Sequence, residues 1–304
     1  MVSSEAEMSR RILIIANPVS GRGKGLPLSE GVRHALEGHG CQVETRLTTP
    51  QANGRDLARD LQPDDWDAIV VIGGDGSAND VLCGLDGAEI PIAVMPAGTA
   101  NVWAHEAGLP ANPAAFADLV IAGRTIEIDL GWVNDAPFFL FASVGTDARI
   151  VRAVQERRKK AGGRGGFIRW IAPGIRTLLG RQQADLTVRI GDRTMSKVAQ
   201  IIVTRVRNYG GFMKMPSNIK IADDRLHVLT ISQRSRLRFF WVVLRAALGR
   251  LRTGPGVTYT ATREAVRIES SGTEPFQRDG DHAGNTPIDI RIDTRQARFI
   301  VGRI

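Results

Sequence analysis

Residues 70–82 read VVIGGDGSANDVL, a buried-strand pattern that runs through a glycine-rich turn into the start of a helix. The glycines let backbone N–H groups approach phosphate oxygens, and the N-terminus of the following helix favours an anion. Asp75 would repel phosphate unless a cation lies between them, which points to Mg²⁺. Asn79 and Asp80 follow on the first helical turn, where they either reach the same ligand or simply cap the helix. The alternative is a tight turn that Asp75 caps.

The sequence around this stretch alternates short β-rich runs with helical spacing. The strand-like runs are RILIIANP, CQVETRL, DAIVVIGG, PIAVMP and TIEIDLGWV. Helical stretches lie between them, at residues 28–36, 51–61 and 77–85 among others. Strands separated by helices of this length form a parallel sheet with helices on both faces, and ligands bind at the carboxyl ends of its strands. The pattern therefore predicts a doubly wound α/β nucleotide-binding domain over residues 10–130.

From residue 131 to residue 304 the pattern changes to β-rich segments that are typical of antiparallel sheets. These segments cover residues 138–144, 184–190, 198–206, 225–231, 257–268 and 288–292. Together they predict a second, mostly antiparallel β-sandwich domain that also carries basic helices. Its last strands either close that domain or return to brace the first.

Two further glycine-containing loops also follow predicted strands. They are ANPVSGRGKG at residues 16–25 and MPAGTANVWA at residues 95–104. Neither has the GxxxxGK[ST] spacing of a P-loop, and GRGKG also lacks the dinucleotide-binding glycine pattern, which argues against both kinds of site. The first loop alone is also compatible with a flexible turn. Three such loops at one sheet edge nevertheless favour a nucleotide phosphate site.

The formal net charge of +8 predicts an anionic partner. Two basic clusters also contain large apolar residues. The first, residues 152–181, has Glu156 as its sole acid, and the second, residues 234–252, has none. This mixture is typical of helices that lie on an anionic membrane surface, and the alternative is a helix on its own core with a solvated basic face. No zinc-finger spacing or ribonucleoprotein motif accompanies the charge, which argues against nucleic acid.

Other features exclude further classes of protein. The N-terminus lacks the apolar segment of a signal peptide, and no apolar run reaches the roughly 20 residues that span a bilayer. We therefore expect a cytoplasmic protein. Cys41 and Cys83 are too few for a disulfide framework, and the five histidines show no metal-ligand spacing. A homodimer is left open, because the sequence does not indicate the oligomeric state.

Six segments of the chain form a series: NPVSGRGKG, GGDGSANDV, PAGTANVWAHEAGLP, IDLG, VGTDA and DGDHAG. In this order they resemble the diacylglycerol kinase catalytic domain family, which includes bacterial soluble lipid kinases and the sphingosine and ceramide kinases. The GGDG element alone is shared with NAD kinases and phosphofructokinases, whereas the combination is specific to the lipid kinases. The resemblance implies ATP as co-substrate, Mg²⁺ as cofactor and a lipid hydroxyl as acceptor.

For the nucleotide, the resemblance implies contacts from all three loops. The matching residues are Asn17, Pro18, Ser20, Gly21, Gly73, Gly74, Asp75, Gly76, Ser77, Asn79 and Thr99. One more contact falls after the second strand, at Thr48 or Thr49. Spacing does not separate these two threonines, and Thr48 is taken as the contact.

For the chemistry, the resemblance implies that Asp279 takes the proton from the lipid hydroxyl, with Asp75 as the second catalytic acid. Asp281, where the family has a glutamate, is implied to help hold Mg²⁺. The alternative for Asp279 is an ordinary aspartate in a turn between two strands. Asp147 in VGTDA matches a family position near the acceptor cleft, and its alternative is a helix cap.

The resemblance also implies a second cation-binding loop in IKIADDRLHV. Its ligands would be the carboxylate of Asp224 and the backbone oxygens of Ile221 and Leu226. Arg225 stands where the family usually has glycine, so this chain departs from the family pattern at that loop.

The function that these features predict is phosphoryl transfer from ATP to a diacylglycerol-like lipid at the inner face of the membrane. Phosphoryl transfer needs mainly positioning, charge neutralisation by a metal ion and a base near the acceptor. Alternative acceptors are a sphingoid base, ceramide, phosphatidylglycerol or a soluble molecule such as NAD. A different class of function is a catalytically silent, nucleotide-responsive membrane module.

Overall fold

The computed structural model describes residues 9–160, 184–210, 213–215, 219–232 and 235–302. The chain divides into two compact units. The N-terminal unit contains Met1–Gly98, Ala107–Ile126 and Ala297–Ile304, and the C-terminal unit contains Thr99–Glu106 and Glu127–Gln296. The predicted domain boundary between residues 130 and 131 stays a prediction.

Four parallel strands form the centre of the N-terminal unit. In the order of pairing they are β2 (Gln42–Leu47), β1 (Arg11–Ala16), β3 (Ala68–Gly73) and β4 (Ile92–Pro96). β3 is buried along its whole length, as expected for a parallel strand covered on both faces. Near the end of the chain, Phe299 pairs in parallel with Ile92. The predicted parallel α/β sheet is therefore confirmed.

The helices up to residue 122 lie between these strands or follow β4. They are α1 (Ser20–Gly23), α2 (Gly25–Gly38), α3 (Gly54–Ala58), a 3-10 turn (Pro63–Asp65), α4 (Asp75–Leu85), α5 (Val102–Glu106) and α6 (Pro113–Ala122), of which α5 belongs to the C-terminal unit. The helix predicted over residues 51–61 is reduced to α3. Asn53 starts α3 with a capping box, and Arg59 and Asp60 end it because the backbone turns extended and then left-handed there.

The described strands of the C-terminal unit lie mainly in two β-sheets. The first has β5 (Thr125–Val133), β6 (Ala136–Phe138), β8 (Leu186–Ile190), β9 (Arg193–Val198), β15 (Val266–Ser270) and β18 (Ile288–Ile300). The second has β7 (Phe141–Val144), β10 (Gln200–Thr204), β13 (Leu226–Ile231), β14 (Val257–Thr262), β16 (Pro275–Arg278) and β17 (Asp281–Asn285). A separate short ladder joins β11 (Asn208–Tyr209) to β12 (Met213–Lys214). Every neighbouring pair in the second sheet is antiparallel.

Apolar side chains from both sheets meet in one core. Leu186 and Ile290 come from the first sheet, and Val144, Val203 and Phe276 come from the second. All of them are almost fully buried. Because two sheets cover one shared core, the predicted β-sandwich is confirmed.

Some strands differ from the sequence prediction. The segment predicted over residues 257–268 is two strands, β14 and β15, which belong to different sheets. β16 and β17 are absent from the predicted β-rich segments, although a turn between two strands was the alternative for Asp279, because the alternating exposure of DHAGN in β17 carries little apolar signal. β18 is longer than predicted, and from Ala297 onward it belongs to the N-terminal unit.

The two basic clusters map onto α7 (Thr146–Lys160) and α8 (Arg236–Ala247). The part of the first cluster beyond residue 160 lies outside the described residues, including Arg164, Phe167, Arg169, Trp170, Ile171, Arg176 and Arg181. Among the described residues, no helix is both long enough and apolar enough to cross a membrane.

Candidate active site

The first loop follows β1 and is held against the end of β4. The Asn17 amide donates to the carbonyl of Ile72 at 2.9 Å, and its side-chain oxygen accepts from the Val19 amide. Ser20 Oγ donates to the Ala97 carbonyl at 3.2 Å. Gly21 is left-handed, and a Cβ there would lie 2.2 Å from the same Ala97 oxygen. Pro18, which follows Asn17, is half-buried in this loop.

The second loop, at the end of β3, leads directly into α4. Gly74 is the N-cap residue, and no side chain caps the helix there, so the first N–H groups are left to other acceptors. A Cβ on Gly73 would meet Ser77 at 2.5 Å, and one on Gly74 would meet the Gly98 Cα at 3.2 Å. Asp75 is the first residue of α4, followed by Gly76, so the helix-cap alternative for Asp75 does not describe this turn.

The carboxyl ends of β1, β2 and β3 bring the predicted phosphate contacts of the N-terminal unit to one sheet edge. Thr48 directly follows β2, and its amide donates to the carbonyl of Ala16 on β1 at 2.9 Å. Thr49 Oγ1 instead accepts from the amides of Gln51 and Ala52 in its own turn. Asn79 is more enclosed than the loop residues, because its side chain is buried within α4.

Asp279 lies in the tight turn of the β16–β17 hairpin. Asp279 and Gly280 have φ values of 47° and 89°, the left-handed pair that a two-residue Asp-Gly hairpin turn adopts. The Asp279 amide donates to the Phe141 carbonyl at 2.8 Å. The backbone of Asp279 therefore forms the turn between two strands that was the alternative to a catalytic role. Whether Asp279 also has a chemical role depends on the surroundings of its side chain.

The Asp279 carboxylate is buried and is held by backbone N–H groups of the β6–β7 connection. Oδ1 accepts from Leu140 and Phe141 at 3.0 and 2.9 Å, and Oδ2 accepts from Phe139 at 3.1 Å. Burial raises the pKa of Asp279 to about 7, against the opposing effect of these three N–H groups. A carboxylate oxygen can accept two hydrogen bonds, and among the described residues Oδ2 accepts one.

A second polar cluster surrounds Asp147 on the first turn of α7. Its Oδ2 accepts from the hydroxyls of Ser143 and Tyr209, and its Oδ1 accepts from Gln200 Nε2. Burial and the neighbouring Asp147 raise the pKa of Tyr209 well above its usual value. Three side chains donate hydrogen bonds to the Asp147 carboxylate, so Asp147 is not a simple helix cap. Gly145 makes room for this arrangement, because a Cβ there would lie 2.6 Å from Gln200 Oε1.

The remaining predicted residues also lie in the C-terminal unit. Thr99 is exposed. Asp281 is exposed and its Oδ1 accepts from Gln155 Nε2 at 2.6 Å. The Asp224 carboxylate is in contact with the guanidinium of Arg263 and lies 3.7 Å from that of Arg225.

These contacts show how well Mg²⁺ would fit the two predicted metal sites, at Asp281 and in the loop around Asp224. The carboxylate of Asp224, with the backbone of Ile221 and Leu226 on either side, already faces two guanidinium groups and does not fit a second cation as it stands. Among the described residues Asp281 forms no ion pair, and an exposed carboxylate is a type of ligand that Mg²⁺ accepts. In the described part of the chain, no group of three or more His, Cys, Asp or Glu residues could hold a metal ion by itself.

Comparisons with known proteins agree with this arrangement. Residues 11–133 match the diacylglycerol kinase catalytic domain, and residues 141–301 match the YegS C-terminal NAD kinase beta sandwich-like domain. A diacylglycerol kinase of Mycobacterium tuberculosis is 30% identical over 292 residues, which cover 92% of this chain and 91% of that protein. The chain belongs to the diacylglycerol kinase family. It is therefore a lipid kinase.

Other members of the diacylglycerol kinase family resemble this chain over nearly its full length. A diacylglycerol kinase of Bacillus subtilis is 25% identical over 282 residues, covering 91% of this chain and 92% of that protein. A crystal structure of a diacylglycerol kinase from Bacillus anthracis has a TM-score of 0.72 at 18% identity and covers 97% of both chains. That structure shows the shared fold.

Sequence reasoning did not find the polar side chains around Asp147 in this diacylglycerol kinase family member. Ser143, Gln200 and Tyr209 lie in β-rich segments without a motif. Gln277 carries one usable signal, because it stands two residues before Asp279 and so points to the same side of the strand as that turn residue would. A buried glutamine at such a position needs partners for its amide.

Proposed function

We propose that this chain transfers the γ-phosphate of ATP to a hydroxyl of a diacylglycerol-like lipid at the membrane surface. The observation that carries the proposal is the shared sheet edge in the N-terminal unit. There, Gly21 closes against Ala97, and the Ala97 amide donates to the Gly73 carbonyl at 2.9 Å. Three glycine-containing loops that converge beside an uncapped helix N-terminus suit a chain of phosphates.

In this proposal the backbone amides of residues 73–77 and the first loop bind the phosphates of ATP. Asn17 and Thr48 add side-chain donors, Thr99 keeps its predicted role as a nucleotide contact, and Ser20, whose hydroxyl donates to the Ala97 carbonyl, holds the first loop in place. Mg²⁺, when bound with ATP, would neutralise phosphate charge, and Asp75 would hold it in the N-terminal unit. Asp281 of the C-terminal unit keeps its predicted role as a Mg²⁺ ligand. Mg²⁺ is usually bound by one or two carboxylates together with substrate phosphates, so a single carboxylate in each unit is compatible with these roles. No step is assigned to the loop at residues 221–226.

Asp279 takes the proton from the lipid hydroxyl in this proposal. A general base works best when its pKa is near the working pH, and burial places Asp279 there. Three backbone N–H groups fix the orientation of the carboxylate and, among the described residues, leave one acceptor position on Oδ2 for the hydroxyl. The developing alkoxide then attacks the γ-phosphorus, the bond between that phosphorus and the β,γ-bridging oxygen breaks, and ADP leaves.

The acceptor is tested with labelled ATP and Mg²⁺ in mixed micelles that contain one lipid at a time. The panel is dioleoylglycerol, phosphatidylglycerol, sphingosine and ceramide, with NAD as a soluble acceptor. We expect phosphatidic acid from dioleoylglycerol at a rate at least tenfold above the other products. Preferential labelling of another lipid or of NAD would replace the acceptor, and labelling of none would favour the silent membrane module.

α8 supports the membrane part of the proposal. Phe239 and Ala246 face the protein and are buried, whereas Phe240 and Trp241 are 50% and 54% exposed and Leu248, just beyond the helix, is 61% exposed. Arg245 and Arg250 are exposed beside them, and no acid lies between residues 234 and 252. Exposed aromatic groups together with basic groups are suited to binding an anionic bilayer surface. We propose that this surface is the inner face of the membrane, where ATP is available.

Replacing Phe240 and Trp241 together by serine is expected to weaken binding to phosphatidylglycerol vesicles by more than tenfold, because the side chains that enter the interface are lost. Arg245→Gln should weaken it about fivefold at low salt, since one basic residue near an anionic surface contributes ~1 kcal/mol. Vesicle sedimentation measures both effects. Arg193→Gln, at an exposed arginine on β9, is the control and should bind as the parent chain does; equal losses for both arginine variants would contradict a specific surface.

A further inference from the structure

Gln277 on β16 is a buried side chain that the proposed chemistry does not yet use. It is 1% exposed and pairs in register with Ser143 on β7. It also stands two residues before Asp279, at the end of the strand that leads into the turn. Gln277 therefore lies between the turn of Asp279 and the polar cluster around Asp147.

The side-chain amide of Gln277 forms hydrogen bonds with both the turn of Asp279 and the polar cluster around Asp147. Oε1 accepts from the Gly280 amide of the turn at 2.9 Å. Nε2 donates to Ser143 Oγ at 2.7 Å and lies 3.3 Å from Tyr209 Oη. Both hydroxyls pass their own hydrogens to the Asp147 carboxylate.

This pattern fixes which way the amide points. Because the hydroxyls of Ser143 and Tyr209 donate their hydrogens to Asp147, their oxygens can only accept from Gln277, which must therefore present its N–H group to them. The Gly280 N–H requires an acceptor. A flipped amide would set oxygen against oxygen and N–H against N–H, so the glutamine has one orientation in this network.

We infer that Gln277 is a positioning residue that couples the Asp279–Gly280 turn to the Asp147 cluster through its side-chain amide. The inference rests on the proposed role of Asp279. A base contributes fully only when it is held in the reactive geometry, and misplacement by about 1 Å can cost on the order of 100-fold in rate. Gln277 touches neither substrate nor reacting atoms in this role.

Gln277→Met keeps the length and volume of the side chain and removes both ends of the connection. With dioleoylglycerol in mixed micelles, we expect kcat to fall ten- to 100-fold while the KM for ATP changes less than twofold. Most of the proposed ATP contacts come from loops in the N-terminal unit, so ATP binding should respond little. Gln277→Glu should not restore kcat, because its second oxygen would face the acceptor oxygens of Ser143 and Tyr209.

Thr230→Val is the matched control. Thr230 is also buried in the second sheet, and its hydroxyl bonds to Thr258 at 2.5 Å, outside the Asp147 cluster. Assays are made well below the Tm of each variant. Thr230→Val should lower Tm and leave kcat within twofold. If Gln277→Met also leaves kcat within twofold, or if Thr230→Val lowers kcat as much, the positioning role is wrong.

Ser143→Ala tests whether Gln277 and Ser143 act on kcat through one connected network or independently. Because Ser143 connects Gln277 to Asp147, the double variant with Gln277→Met should lose little more kcat than either single variant, and multiplied losses would contradict the coupling. Asp279→Asn distinguishes failure of the proposed function. An active Asp279→Asn chain would overturn the base and this inference together, whereas an inactive one beside an unimpaired Gln277→Met overturns this inference alone.

Discussion

Asp279→Asn is expected to lower kcat for lipid phosphorylation by about 10²- to 10⁴-fold, the usual contribution of a general base, with the KM for ATP nearly unchanged. An asparagine oxygen can keep the two hydrogen bonds from Leu140 and Phe141. Its amide nitrogen would face the Phe139 N–H, where Oδ2 now accepts. The variant therefore loses both the basic atom and one buried hydrogen bond. Steady-state kinetics with dioleoylglycerol measures the effect.

The lost hydrogen bond also affects folding, so stability is measured alongside. A buried donor without a partner costs about 1–3 kcal/mol, and kinetics must be recorded where circular dichroism shows a folded chain. Asp192→Asn is the control, because Asp192 is an exposed aspartate in another hairpin turn, between β8 and β9. It should keep full activity. An Asp279→Asn chain with more than a tenth of the parent kcat would show that another group takes the proton.

The pH profile gives an independent check of the same residue. The carboxylate form is the active one, and its pKa is raised to about 7, so protonation removes activity as pH falls through that value. In the parent chain kcat/KM should drop about tenfold per pH unit below about 7. The residual activity of Asp279→Asn should lack this slope.

The features that the sequence predicted well are local ones. The run AIVVIG at Ala68–Gly73 is apolar at nearly every position because β3 is buried on both faces, and such a run identifies a parallel strand without knowledge of its neighbours. The glycine-rich turn that follows is equally local. These two signals together located the sheet edge that we propose for ATP.

The features that sequence reasoning missed depend on pairing between distant segments. Ser143 and Gln277 are 134 positions apart and meet because β7 and β16 pair in that register. The motif around Asp224 predicts a metal ligand. In the structure Arg263 contacts the Asp224 carboxylate, because β13 and β14 are neighbouring strands. Register is set by the whole sandwich, so a single sequence contains no local signal for either contact.

Gly21→Ala is expected to raise the KM for ATP at least tenfold and to lower Tm. Gly21 has φ 58°, and a Cβ there would lie 2.2 Å from the Ala97 carbonyl oxygen, a distance that no side-chain carbon tolerates. Either the first loop or the end of β4 must move, and the Ser20 hydrogen bond to the same carbonyl would be strained. Because the phosphates are proposed to bind this loop and the neighbouring Gly73–Ser77 turn, nucleotide binding should suffer first. Isothermal titration with ATP and Mg²⁺ and a thermal melt measure both effects.

Gly40→Ala separates the steric clash from the cost of a left-handed backbone. Gly40 has φ 80° and lies in the same unit between α2 and β2, and a Cβ there would meet nothing within 4 Å. Both variants share a conformational penalty of about 1–2 kcal/mol, whereas Gly21→Ala alone has the clash. Gly40→Ala should therefore lower Tm and keep the affinity for ATP. If both variants bind ATP as tightly as the parent chain, the close approach of the first loop to Ala97 does not build the phosphate site, and the nucleotide must depend on the turn at residues 73–77 alone.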